Sequence, residues 1–403
     1  MAYEKVSKFK DMVYRCNTCR RCPRGPWDPN QPDKFKTPVK QCPSYETNFT
    51  LSSSSQGMIL IIRDLLEGKL EATPELVDHM YECVLCRSCN AVCEGMDSIP
   101  LGGIQGADIF RELRADFVDM GIAPPKGLKM LCDNIAAKHN RQGSEKDRLG
   151  WAEGLDIADS GEIMIFAGCT ASYQDQVVLE SLVKILKAAG VEFGILKDEW
   201  CCGAIQYESG MDDAFAETAK HNVEALKAAG AKKVVCVCAD CFKAIAFDYP
   251  KVTGDLGFEV VHSSELVKEL LDAGKLQLKA NTDLGKVTYN DPCFLVRSGK
   301  RGDKKVIDEP RAVIEAATGA APAEMEGYGK YTYCCGRSIM AAAANKTYQT
   351  AGKERIGDAI AIEANTVVTG CANCKISLSG AAKKEDAAIK VISLEELVAA
   401  SLE

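Results

Sequence analysis

Two stretches decide the fold of this 403-residue chain: VVCVCADC at 234–241 and VVTGCANC at 367–374, offset by 133 positions. Each passes from an apolar, β-branched run into a Cys-x2-Cys pair, the pattern of a buried strand that ends in a thiol-bearing loop. Working outward, the same features precede both. Cys169 and then Cys201-Cys202-Gly203 come before Cys238 and Cys241, while Cys293 and then Cys334-Cys335-Gly336 come before Cys371 and Cys374. The intervals are 31 and 35 residues in the first copy and 40 and 35 in the second. VVHSSELV at 260–267 and VISLEELV at 391–398 repeat near the same offset. A period this long indicates duplication of a whole domain, not a solenoid.

The neighbouring segments alternate between strand and helix patterns. Strands are expected at 162–167, 191–196, 233–238 and 259–262, with helices at 175–189, 212–229 and 264–273. A strand at 286–290 and a helix at 310–317 restart the series. This is βαβ grammar, hence an α/β fold with a parallel or mixed sheet. Two homologous α/β domains are placed at 158–280 and 281–403. Residues 1–150 differ: they are polar, with helical spacing at 57–68 and 74–81, and end in a charged linker, KHNRQGSEKDRLG at 138–150.

Composition narrows the chemistry. The chain has 20 cysteines and only 4 histidines. The start, MAYEKVSKFKDM, lacks the apolar core of a signal peptide, and no apolar run is long enough to span a bilayer. The expectation is a cytoplasmic protein that meets a membrane only through a partner. Its cysteines then act as metal or redox ligands rather than disulfides. Few histidines argue against His-rich zinc, copper or non-haem iron sites, and the lack of CxxCH excludes c-type haem.

The N-terminal region carries Cys16-x2-Cys19-x2-Cys22, then Cys42, then Cys83-x2-Cys86-x2-Cys89-x3-Cys93. Three thiolates at this spacing wrap three corners of a cubane [4Fe-4S] cluster, and a remote cysteine supplies the fourth. In two-cluster ferredoxin-type modules the remote cysteine comes from the other motif. The predicted sets are Cys16, Cys19, Cys22 with Cys93, and Cys83, Cys86, Cys89 with Cys42. Two features depart from such modules: nineteen residues separate Cys22 from Cys42, and Glu94 rather than proline follows Cys93. Zinc on the CxxC pairs is the competing reading, but it leaves the third cysteine of each run surplus. Five cysteines with an adjacent pair do not fit a four-cornered cubane and point to a larger or more open cluster. If strand ends gather them at one sheet edge, helix N-termini there help stabilise thiolate charge.

The pattern C-x(31–39)-CC-x(35–36)-C-x2-C resembles the CCG, or cysteine-rich, domain of the heterodisulfide reductase family, the second copy lying just outside its usual spacing. Asn290-Asp291-Pro292-Cys293 and Asp308-Glu309-Pro310-Arg311 resemble that family's HDPC and DEPR stretches. A ferredoxin-type module followed by two CCG domains resembles the D-type subunit of heterodisulfide reductase. It is also similar to iron–sulfur subunits of glycolate- and lactate-oxidising enzymes and of aromatic-CoA reductases. The resemblance implies two non-cubane [4Fe-4S] clusters with a disulfide substrate between them. Cys169, Cys201, Cys202, Cys238 and Cys241 would hold one cluster. Cys293, Cys334, Cys335, Cys371 and Cys374 would hold the other. Asn290 stands where the family commonly has histidine, and Arg337-Ser338-Ile339-Met340 where glycines are common, so the substrate is expected to differ.

The remaining features are read locally. The net charge is −8, yet residues 1–42 hold ten Lys/Arg against four Asp/Glu. Arg15, Arg20, Arg21 and Arg24 surround the first cysteine run, as a solvated face offsetting thiolate charge, a docking surface for an acidic partner, or a device raising a cluster's potential. The overall acidity argues against nucleic-acid binding. The basic stretch RSGKRGDKK at 297–305 reads as a solvated loop, the alternative being capture of an anionic substrate. Cys132 and Cys236 read as core, and His79, His139, His221 and His262 as structural. Gly102-Gly103-x-x-Gly106 follows a cysteine motif rather than a strand, so no flavin or NAD site is assigned.

Electrons must therefore be exchanged with another protein: a flavoprotein, a ferredoxin or a membrane cytochrome b. Two functions follow. One is an oxidoreductase subunit in which two cubane clusters feed two non-cubane clusters that cleave or form a disulfide. The other is an electron-transfer subunit of a larger complex, serving an aromatic-CoA reductase or a flavoprotein dehydrogenase, with no disulfide substrate of its own.

Overall fold

The computed structural model describes residues 3–25, 39–94, 103–299 and 305–402. Strands β1 (Ile163–Phe166), β2 (Gly194–Ile195), β3 (Lys233–Cys236) and β4 (Glu259–His262) form one parallel sheet in the order β2-β1-β3-β4. Strands β5 (Val287–Asn290), β6 (Thr366–Thr369) and β7 (Lys390–Ser393) form a second parallel sheet in the order β5-β6-β7. A single parallel bridge from Thr288 to Ala323 stands where β2 stands in the first sheet. The central strands β3 and β6 each carry a Val-Val pair and are almost wholly buried, as parallel strands covered on both faces must be.

The two repeats pack as a pseudo-twofold pair. Helix Val177–Ala188 of the first lies on helix Leu394–Ala400 of the second, and Ser263–Asp272 of the first lies on Asp308–Thr318 of the second. These are the same two contacts with the copies exchanged, the signature of an isologous interface. Leu182, Leu186, Leu397 and Val398 share one buried apolar cluster there. Each such side chain contributes about 1.5–3 kcal/mol on burial.

The N-terminal region is helical and touches both repeats. Helix Ser55–Leu66 starts on Ser54, whose hydroxyl accepts from Gly57 N at 3.3 Å, and helix Pro74–Tyr81 starts with proline after a Thr73 cap. Helix Gly106–Asp119 reaches the first repeat: Arg111 donates to Tyr207 O (3.0 Å) and Arg114 to Glu208 O (3.1 Å). Gln41 reaches the second repeat at Tyr331 O (3.0 Å), and Arg297 reaches back to Cys86 O (2.7 Å).

Several expectations change. The strand expected at 191–196 is only Gly194–Ile195. Helix Asn345–Ala361 had no apolar stripe to announce it, because its buried face is Thr347, Ala351, Gly352, Arg355, Ile356 and Ala359. Within the linker placed at 138–150, Arg141 and Arg148 are buried. Among the described residues no helix is long and apolar enough to cross a membrane.

Because the inter-repeat helices share one core, Leu182→Ala should cost about 2–5 kcal/mol and lower the midpoint of a single urea transition. A separate transition for one repeat would contradict the shared core.

Candidate functional site

All ten cysteines of the two repeats are at most 5% exposed. Cys169 opens helix Cys169–Gln174 after β1, and Cys293 opens Cys293–Arg297 after β5. Cys238 and Cys371 cap helices Ala239–Lys243 and Ala372–Lys384. Cys169, Cys238, Cys293 and Cys371 therefore sit at helix starts, whose amides favour negative charge. The glycine after each CC pair has positive φ, 70° at Gly203 and 86° at Gly336. A Cβ at Gly336 would fall 2.6 Å from Tyr348 O, so the turn that aims the paired thiols has no room for another residue.

The thiols form a continuous string. Contacts run from Cys169 to Cys201, Cys202, Cys241 and Cys238 in the first repeat. Cys238 Sγ then meets Cys371 Sγ at 3.8 Å. From Cys371 the string continues to Cys374, to Cys335 (Sγ–Sγ 3.1 Å) and to Cys334, which touches Cys293 and Cys86. None of these thiols is in a disulfide. Cys238 and Cys371 are equivalent positions of the repeat. So are Asp240 and Asn373, which hydrogen-bond at 2.6 Å. The pseudo-twofold axis thus passes between the two five-cysteine sites.

The N-terminal cysteines form two groups. Cys42, Cys83, Cys86 and Cys89 line one enclosed cavity with Met58, Val84 and Phe110. Cys93 accepts from Ile104 N (3.1 Å) and lies within electrostatic reach of Cys19 and Cys16. Cys22 faces Cys42 as well as Cys16 and Cys19. The two CxxCxxC loops adopt one backbone form. Thr18 and Arg20 have φ of 56° and 63°, and the corresponding Leu85 and Arg87 have 49° and 60°. Four non-glycine residues in this costly region, at matching positions, turn three thiols to one side of each loop.

Buried charge surrounds the string. Both terminal nitrogens of Arg148 lie 3.7 Å from Cys169 Sγ, and Nη1 pairs with Glu199 at 3.0 Å. Glu199 also accepts from Ala167 N and Gly168 N, yet burial pushes its carboxyl up to about 7. Arg337, at φ 56°, is wedged between the repeats. It pairs with Glu208 and with Asp240 (3.1 Å), lies over the Phe294 ring, and donates from its backbone to Cys335 Sγ (3.4 Å). Lys243 completes the network with Asp248 at 2.5 Å and Glu208 at 3.5 Å. Neighbouring thiols pull Cys202 and Cys86 well below the usual thiol range, through Cys201 and Cys334 respectively.

These observations fit iron–sulfur ligation: thiols grouped without disulfides, one four-thiol cavity, and cations and amides beside them. Among the described residues no set of three Cys, His, Asp or Glu side chains closes around a single-ion position. Cys132 and Cys236 are buried in the apolar core, Cys236 within electrostatic reach of Cys202 and Cys238.

Other readings change. Asn290 is buried within the second repeat, tied to Thr369 Oγ1 (3.4 Å) and to Arg355 Nε (2.9 Å). Asp291 and Arg311, the centres of the NDPC and DEPR stretches, form a two-pronged ion pair at 2.8 and 2.9 Å that also holds Gly329 N. The side chains of Ser338 and Ile339 lie outside the described residues. So do residues 300–304 of the basic stretch, but Arg297 at its start is buried rather than solvated. Gly102 is likewise outside, while Gly106 packs where a Cβ would meet Ser55 Oγ at 2.6 Å and Cys89 Sγ at 3.3 Å. His79 bonds Ser52 O, and His139 and His221 stack on either face of Trp200 at 3.7 and 3.9 Å. Sequence reading missed Arg148, Glu199 and Lys243, and met Arg297 and Arg337 only as members of the basic stretch and of the run after the second CCG. Only Asp240 and Asn373 carried a signal, as matching positions inside the two CxxC pairs.

The architecture and its thiols define an iron–sulfur oxidoreductase subunit built on a duplicated cysteine-rich domain. The CCG cysteine-rich domain family matches residues 163–246 and 287–379. The chain belongs to the family of the D-type subunit of heterodisulfide reductase. It is 34% identical to the D-type subunit of dihydromethanophenazine:CoB–CoM heterodisulfide reductase from Methanosarcina acetivorans, covering 81% of this chain and 79% of that one. The Methanosarcina barkeri counterpart is 33% identical over 84% and 82% of the two chains. An EtfAB:quinone oxidoreductase of Syntrophomonas wolfei is 30% identical over 64% of this chain and 36% of that one. In fold, the chain is similar to a hypothetical protein of Helicobacter pylori, with a TM-score of 0.58 at 12% identity over 99% and 76% of the chains.

His262 locks the repeats together next to the axis. Its Nδ1 accepts from Ser264 N (3.2 Å), so Nε2–H donates to Gly370 O (2.8 Å), beside Cys371. Burial pushes the imidazole down to about 4, whereas an exposed one titrates near 6.5. The unfolded chain therefore takes up this proton first. The stabilisation is full above pH 6.5 and is lost as pH falls toward 4, by on the order of 3 kcal/mol. The stability difference between the protein and His262→Gln, measured by urea unfolding, should shrink over that window. A difference independent of pH would contradict a neutral buried imidazole.

Proposed function

We propose that the chain passes electrons one at a time from two cubane [4Fe-4S] clusters to two non-cubane [4Fe-4S] clusters, where a disulfide is reduced or formed. Cys16, Cys19, Cys22 and Cys93 hold the first cubane, and Cys42, Cys83, Cys86 and Cys89 the second. Cys293, Cys334, Cys335, Cys371 and Cys374 hold one non-cubane cluster, and Cys169, Cys201, Cys202, Cys238 and Cys241 the other. The observation that carries this reading is the unbroken thiol string, with Cys86 meeting Cys334 and Cys238 meeting Cys371. The clusters supply one-electron redox chemistry. A disulfide needs two electrons and two protons to give two thiols, so two one-electron centres facing one another match it.

The chain's own residues set the conditions. Burial keeps water from the thiolates, and Arg148, Arg297 and Arg337 offset their charge. Arg337 and Asp240 fix the spacing of the two repeats. The proposed organisation is a ferredoxin-type region at 1–150 and CCG domains at 158–280 and 281–403. The protein works in the cytoplasm, attached to a membrane only through a partner that bears flavin or haem. Relatives named as subunits of larger redox enzymes support such partners.

A second reading rests on Arg337, whose ion-paired side chain fills part of the space between the repeats. There the chain conducts electrons for a larger complex without a disulfide of its own. The anaerobically purified protein should hold about sixteen irons, four per cluster. Cys202→Ala should lose about a quarter of them and abolish reduction of small heterodisulfides by an artificial donor. A fully loaded, reducible protein inert toward every such disulfide would select the second reading. Only two to four metal ions per chain would overturn both.

A further inference from the structure

Of the twenty cysteines, Cys19 alone is exposed; the rest are half-buried or buried. Cys19 therefore marks the place where the thiol groups reach solvent. It sits among cations. Arg15, Arg20, Arg21 and Arg24 are all exposed around it. Arg24 is neutralised by Glu46, with two hydrogen bonds at 3.0 and 2.9 Å. Arg15, Arg20 and Arg21 make no ion pair with any described residue.

The local geometry argues against a merely solvated face. Arg20 has φ of 63° and stands inside the loop, between Cys19 and Cys22, so its position follows the thiols. An exposed aromatic, Tyr14, borders the patch at 41% exposure, with Lys10 and Arg63 over its ring. Arg63 also donates to Val13 O (2.9 Å) and Cys16 O (3.3 Å), tying this ring to the first thiol of the loop. Exposed arginines with an aromatic neighbour are the composition of a protein-binding surface. The patch is basic on a chain whose net charge is −8, so an acidic protein is drawn to this face and repelled from the remainder.

We infer that this face, Arg15, Arg20, Arg21 and Tyr14 around Cys19, docks a small acidic one-electron carrier protein and is where electrons cross the surface of the chain. The inference rests on the proposal that Cys16, Cys19, Cys22 and Cys93 hold a cluster. One electron passes between the carrier and that site, so one partner is oxidised as the other is reduced, with no bond made or broken. A carrier is favoured over an anionic membrane because the charge is centred on the single exposed thiol rather than spread over a broad face.

The test uses the cluster-loaded full chain and an acidic plant-type ferredoxin as probe. Binding is measured by calorimetry, and the bimolecular reduction rate by stopped flow. Arg15→Glu/Arg21→Glu should weaken binding and slow the rate at least tenfold at low salt. The gap should close as ionic strength rises toward about 0.5 M, where charges beyond a few ångströms are screened. Reduction by dithionite and the low-temperature spin-resonance signal of the clusters should match the unaltered protein. Equal binding and rate in both proteins would overturn the inference. So would a variant that loses only its affinity for phosphatidylserine vesicles. An unaltered protein that binds the ferredoxin with the same salt dependence but lacks the N-terminal cluster signal would instead overturn the cluster assignment and leave the docking face standing.

Discussion

The structure depends on one juxtaposition: Cys238 and Cys371, equivalent residues of a duplicated domain, meet at 3.8 Å on a pseudo-twofold axis. For two repeats to present the same loop to each other, both sheets must end at one edge, and the helices beside them must pair in exchanged fashion. That is the packing seen, with Val177–Ala188 on Leu394–Ala400 and Ser263–Asp272 on Asp308–Thr318. His262 and the Asp240–Asn373 hydrogen bond also tie the two repeats together there.

Burying ten thiols at one interface creates an electrostatic problem, since burial raises the pKa of a thiol and disfavours the thiolate that ligates metal. The chain answers it with helix starts at the strand ends and with three buried arginines. Their arrangement is not symmetric. Arg148 serves Cys169 in the first repeat and Arg337 serves Cys335 in the second, while Arg297 reaches Cys86 of the N-terminal region. At the axis the first repeat supplies a carboxylate and the second an amide. The two sites share a geometry and differ in the charge around them, which would give clusters held there different potentials.

The parallel sheets were legible because β3 and β6 each carry a Val-Val pair and run on into a cysteine pair. The duplication was legible in the cysteine intervals alone. What escaped was polar. Helix Asn345–Ala361 buries small and charged residues rather than an apolar stripe, so its periodicity is faint. Arg141 and Arg148 sit in a charged stretch that reads as a linker, and only the fold shows that they turn inward. The Asp291–Arg311 pair spans 20 residues, and no local pattern reveals that its members meet. Cysteines announce themselves by number and spacing; the charges that make them usable do not.

The central claim is that one line of four iron–sulfur sites runs from the N-terminal loops across the axis between the repeats. The most direct test is an anomalous difference map from an anaerobic crystal, recorded at the iron absorption edge. The account predicts four separate iron clusters in the order Cys16 set, Cys42 set, Cys293 set, Cys169 set, the last two facing each other across Cys238 and Cys371. Iron confined to the N-terminal sets, with neither five-cysteine site occupied, would contradict it.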